Sequence, residues 1–130
     1  MRLLLLACAG GALGSGARYL VYVGAGRWIG TASPYAGALA TLFVNIAGSF
    51  IMGAVIEAVA LRYQGSPELR TFLATGVLGG FTTFSAFSMD FVHMMQRGET
   101  GAALAYAAAS VAVSILALYA GMALTRMLFA

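Results

Sequence analysis

Asn45 lies in a stretch without charge, Thr-Leu-Phe-Val-Asn-Ile-Ala-Gly-Ser-Phe at 41 to 50. A side-chain amide carries two N–H donors and one acceptor, so it either closes a hydrogen bond between helices or offers an anion a contact weak enough to release it. Spacing by three and four residues places Thr41, Asn45, Gly48, Ser49 and Met52 on one helical stripe. Phe84, Phe87, Ser88 and Phe91 repeat at the same spacing. Such a row is usually packing, but phenylalanine edges are positive, and rings turned edge-on to a narrow path can replace part of a small anion's hydration. Tyr106, Ser110 and Ser114, four apart, make a ladder of hydroxyls. Each hydroxyl either bonds its own helix or contributes to a polar track. Arg18, near the end of an apolar run, would concentrate anions at a mouth.

A second group of residues predicts an irregular backbone. Gly76, Gly79 and Gly80 are followed by Thr82, Thr83 and Ser85, a composition that suits no uninterrupted helix, and a break is predicted between Gly79 and Thr83. Carbonyls freed by such a break are natural cation ligands. The acids lie elsewhere: Glu57 near the end of its apolar run, Asp90 and His93 toward the end of theirs, Glu68 and Glu99 in connections. Glu57 and His93 are read as interfacial, and Asp90 as an acid at a vestibule or helix end. A proton-coupled carrier is expected to hold an acid deep in a span, and none is found. Cys8, the single cysteine, excludes an internal disulfide and a thiolate metal cluster.

These groups need elements that lipid can surround. Of 130 residues 62% are hydrophobic and 8% charged, with mean hydropathy +0.92, which excludes an ordinary soluble domain. No charge occurs from Trp28 to Ile56, from Thr71 to Met89 or from Thr100 to Thr125. Crossing ~30 Å of hydrocarbon takes about 20 helical residues. A single domain, 1–130, of four transmembrane helices is therefore predicted, spanning about 3–24, 36–60, 69–95 and 100–127. Connections are expected around Arg27, Pro34, 62–67 and 97–99.

The 17 glycines are expected to bring helix backbones together, with Gly10 and Gly14, and Ser49 and Gly53, at the spacing that permits it. The basic residues are seven arginines, scattered at segment ends rather than patched, which argues against nucleic acid. Four crossings place Arg2, Arg62, Arg70 and Arg126 on one side and Arg18, Arg27 and Arg97 on the other. Four against three sets no orientation. Insertion both ways round allows an antiparallel pair about a two-fold axis in the membrane plane.

The motifs Gly-Gly-Ala-Leu-Gly-Ser-Gly-Ala-Arg-Tyr (10 to 19), Thr-Leu-Phe-Val-Asn-Ile-Ala-Gly-Ser-Phe (41 to 50) and Gly-Val-Leu-Gly-Gly-Phe-Thr-Thr-Phe-Ser-Ala-Phe-Ser (76 to 88) resemble the Fluc-type (CrcB) fluoride channels over essentially the whole chain. The resemblance implies an antiparallel, dual-topology homodimer in the cell membrane, with two fluoride pathways and a sodium ion at the dyad. It implies Asn45 as the pore asparagine, Phe84 and Phe87 as the paired rings facing fluoride, and the carbonyls of Gly79 and Thr82 as sodium ligands. Thr83 and Ser85 share the motif, Tyr106, Ser110 and Ser114 resemble the fourth-helix polar track, and Arg18 resembles the vestibule arginine. Asp90 stands where many members carry glutamate. The function so implied is passive fluoride export with no enzymatic step. Two other readings are a small dual-topology exporter of drugs or cations, which should show a glutamate deep in the first span, and a non-conducting membrane scaffold subunit.

Overall fold

The computed structural model describes residues 1–30 and 32–129. Five helical segments form the chain: α1, Arg2–Ile29; α2, Ala36–Arg62; α3, residues 67–81; α4, Phe84–Gln96; and α5, Thr100–Phe129. The helices α1, α2 and α5, and the α3–α4 unit Pro67–Gln96, are each long and apolar enough to cross a membrane, so the chain is a multi-pass membrane protein. Their 27 to 30 residues cover ~40 Å at ~1.5 Å per residue, which exceeds the hydrocarbon layer.

Boundaries depart from the sequence expectation at two ends. The first helix runs to Ile29, so Arg27 stands in its last turn rather than in a connection. The third span starts at Pro67, because proline suits a first helical position and Ser66 Oγ accepts the Leu69 N–H. Gly98, at φ 78°, turns the chain from α4 into α5.

In lipid no hydrophobic force drives helices together, so close backbone contact does. Two tight pairs result. The first helix lies along α3: a Cβ on Gly10 would come 2.4 Å from the Phe72 carbonyl oxygen, and one on Gly14 would come 2.0 Å from that of Val77. The second lies along α5 through Gly53 and Gly121. Ser49, paired with Gly53 in the sequence reading, turns instead to a groove. Large apolar side chains such as Leu13 and Leu116 stay exposed, as expected of surfaces that meet acyl chains.

Charged groups sit toward the ends. Glu57, expected as an interfacial acid, stands near the end of α2, where it is 8% exposed and held by Arg126, with Nε donating to Oε1 at 2.7 Å and Nη2 to Oε2 at 3.2 Å. The Arg126 side chain, from the last turn of α5, keeps its own exposure at 63% while pairing with the acid. Arg97 pairs with Glu99 at 2.8 Å, and that hydrogen bond holds the Glu99 carboxyl below the usual carboxylate range.

Candidate functional site

The third span breaks at Thr82 and Thr83, within the window predicted. Thr82 (φ −82°, ψ 157°) and Thr83 (φ −153°, ψ 120°) are extended. Upstream, Thr71–Leu78 winds in wide turns, and the Gly79 N–H reaches back five residues to the Ala74 carbonyl. Nothing in the sequence signalled this widening.

Broken backbone at membrane depth needs partners, and Asn45 supplies them. Its Nδ2 donates to the Thr83 carbonyl at 3.0 Å, and its Oδ1 accepts the Thr83 N–H at 2.8 Å. One amide thereby satisfies both backbone groups of one residue. The approach depends on Gly48, where a Cβ would come 2.3 Å from Thr82 Cγ2. Beyond the break Thr83 Oγ1 caps α4 by accepting the Ala86 N–H at 3.2 Å, and Ser85 Oγ lies 3.1 Å from the same oxygen.

These two bonds divert N–H groups that a continuous helix would send to Gly79 and Thr82. Thr83 N–H goes to Asn45 and Ala86 N–H to Thr83 Oγ1. Both carbonyls thereby lose the donor that a continuous helix would supply.

A groove of about 410 Å³ runs past this point between α2, the break and α5. Asn45, Ser49, Thr82, Thr83, Phe84 and Phe87 line one side and Ser110 and Ser114 the other, with Met52, Val111, Ile115 and Leu118 supplying apolar wall. Among the described residues no charged side chain lines it. The rings of Phe84 and Phe87 stand 5.3 Å apart at 40°, and Phe84 is 76% exposed at the rim.

The hydroxyls divide into two kinds. Ser15, Thr82 and Ser88 each donate to the carbonyl four residues back, at 2.7, 2.9 and 2.9 Å. Ser110 and Ser114 do not: their buried Oγ atoms have no hydrogen-bond partner among the described residues. An unpaired buried hydroxyl costs about 1–3 kcal/mol, a cost that a ligand's contact would offset.

Tyr106 leaves the ladder that its spacing suggested. Its ring packs on Phe87 at 5.4 Å, and its hydroxyl donates to Asp90 Oδ2 at 3.2 Å, which also accepts from Thr41 Oγ1 at 2.6 Å. Tyr22 of α1 reaches the same Thr41 oxygen at 2.6 Å. Asp90, read from the sequence as an acid at a vestibule or helix end, thus accepts from hydroxyls of two other helices, with Tyr22 joined through Thr41. Phe91 is packing, against a cluster of Ala38, Met94, Ala103 and Tyr106. Arg18, Ser85 and Tyr106 do not line the groove. Ser49 and Met52 do, as their stripe with Asn45 already allowed, whereas nothing in the local pattern pointed to Tyr22.

Residues 5–122 match the family model described as CrcB-like protein, Camphor Resistance (CrcB). The chain is 54% identical over 123 residues, 95% of each chain, to a Chelativorans sp. (strain BNC1) protein named fluoride-specific ion channel FluC. It is 52% identical over 126 residues, 97% of each chain, to the protein of that name from Rhodospirillum centenum. With the one from Caulobacter vibrioides it shares 49% over 131 residues, the full length of both.

Proposed function

The chain belongs to the CrcB family, and on that footing we propose that it is a fluoride-selective channel that lets the ion leave the cell passively and lowers its cytoplasmic concentration. The observation that carries the reading is the pair of unpartnered buried hydroxyls, Ser110 and Ser114, on residues that line an uncharged groove together with Asn45, Phe84 and Phe87. Fluoride sheds water only where donors replace it. Neutral donors do so without the fixed cation that would trap the ion. Hydrogen fluoride crosses lipid and ionises in a near-neutral interior, and a negative-inside potential contributes about 2.3 kcal/mol per charge per 100 mV to expulsion. No fuel and no bond-making step are needed.

The path leads from the groove past Phe87, whose other face meets Tyr106, to the hydroxyls around Asp90. In one chain Phe84 of the groove lining is 76% exposed, and the near-even arginine count sets no orientation. Both features support an antiparallel homodimer in which a second copy completes the wall. The carbonyls of Gly79 and Thr82, whose i+4 donors are diverted, fit a sodium ion, because hard oxygens without a charged side chain suit a hard monovalent cation. Bound at the two-fold axis, sodium would neutralise carbonyl dipoles from both copies and hold the breaks together.

The direct test is efflux from liposomes that contain only the purified protein, followed with a fluoride electrode beside a chloride control. Fluoride leaves and chloride stays. Equal or absent fluxes overturn the proposal. Phe84→Ile, which keeps bulk but removes the ring edge, is expected to lower fluoride flux by about tenfold or more, equivalent to ~1.4 kcal/mol. Unchanged flux in a variant that elutes as the wild type does would return the stripe to packing, whereas a wild type without flux would favour the scaffold reading.

A further inference from the structure

Tyr22 belongs to α1, a helix that contributes nothing to the groove lining, yet its phenol oxygen stands 2.6 Å from Thr41 Oγ1. Three oxygens crowd that one hydroxyl. The Gly37 carbonyl lies at 3.0 Å, Asp90 Oδ2 at 2.6 Å, and Tyr22 Oη completes the set. Threonine has a single hydrogen to give, and carbonyl and carboxylate oxygens only accept. With those two alone, Thr41's hydrogen would divide its time between its own helix and the acid.

Tyr22 is the one member that can donate to Thr41. When it does, a lone pair of Thr41 is occupied and its O–H is polarised, which strengthens its bond to the charged acceptor over that to the neutral one. Tyr106 directs its own hydrogen to the same Asp90 oxygen. The two hydrogens therefore converge on Oδ2, while Oδ1 has no partner among the described residues and faces the space that Gly37 leaves open, where a Cβ would come within 3.8 Å of it.

We infer that Tyr22 is a positioning residue of the ion pathway: its hydroxyl keeps the Thr41 hydrogen turned away from Gly37, toward Asp90 and an anion passing between Thr41 and Tyr106. The inference rests on the conduction reading above. An arriving fluoride exchanges one negative acceptor for another, so the two hydroxyls swing from carboxylate to ion without losing a charged partner. Tyr22 acts through Thr41 and need not touch the ion.

The experiment measures fluoride efflux from phosphatidylcholine and phosphatidylglycerol vesicles for the wild type, Tyr22→Phe, Thr41→Val and the double variant. Tyr22→Phe removes one oxygen and leaves the ring. It is expected to lower flux about fivefold, the rate equivalent of one typical hydrogen bond. In the Thr41→Val background the same change should have no further effect, because the group through which Tyr22 acts is gone. Thr41→Ser, which restores the hydroxyl, should restore the dependence on Tyr22. Wild-type flux in Tyr22→Phe overturns the inference, as does an equal loss with and without the Thr41 hydroxyl, the mark of packing. A wild-type protein that conducts no fluoride overturns the conduction reading and this one with it.

Discussion

Asn45→Asp is expected to reduce fluoride flux to roughly a thousandth of the wild-type value while changing almost nothing in side-chain shape. The amide has two duties, clamping Thr83 and facing the groove, and the substitution harms both. An ionised carboxylate would still accept the Thr83 N–H but would set an oxygen against the Thr83 carbonyl in place of a donor. Toward fluoride the effect is larger. A fixed negative charge at ~4 Å and an effective dielectric of ~20 opposes an anion by about 4 kcal/mol, which corresponds to about three decades in rate. Efflux from liposomes measures it, with elution volume as the check that the fold survives. A folded Asn45→Asp protein that conducts normally would reduce Asn45 to a helix clamp and move the ion path elsewhere.

The second large effect falls on stability. Gly121→Val should unfold the protein or separate α2 from α5, because even a Cβ there would lie 2.0 Å from the Phe50 carbonyl oxygen and 3.0 Å from the Ala54 nitrogen. The obstruction is backbone, which no rotamer change relieves. Gly53 faces the same constraint from the other helix, 2.0 Å from the Leu118 carbonyl oxygen. Overpacking of a well-packed site typically costs about 1–3 kcal/mol, and a branched side chain against backbone lies at or beyond the upper end. Gly101→Ala is the control, since open space surrounds that Cβ and alanine favours the helix by up to about 1 kcal/mol. Thermal unfolding in detergent should show a large downward shift for Gly121→Val and none for Gly101→Ala. Equal shifts would remove the close α2–α5 contact as the basis of the fold.

The opposed fates of Gly121 and Gly101 mark what a one-dimensional reading can reach. Spans, their number and the break between Gly79 and Thr83 were legible because they depend on local facts: lipid demands ~20 uncharged residues, and glycines followed by threonines weaken a helix. The stripe of Asn45, Gly48, Ser49 and Met52 was legible for the same reason, since helical periodicity alone puts those side chains on one face.

Which partner each polar group takes was decided only by tertiary structure. Asn45 meets a residue 38 positions away, and Thr41 one 49 positions away. Tyr106, Ser110 and Ser114 share a helix face, yet the first bonds Asp90 while the other two have unpartnered oxygens on residues that line the groove, because the middle of α4 lies beside one and the break beside the others. Tyr22 carried no local signal at all, and for Asp90 the local pattern set a place but no partners. A hydroxyl or carboxylate has many possible partners along a chain, and only the docking of α1 on α3 and α2 on α5, set by glycines where backbones touch, selects among them.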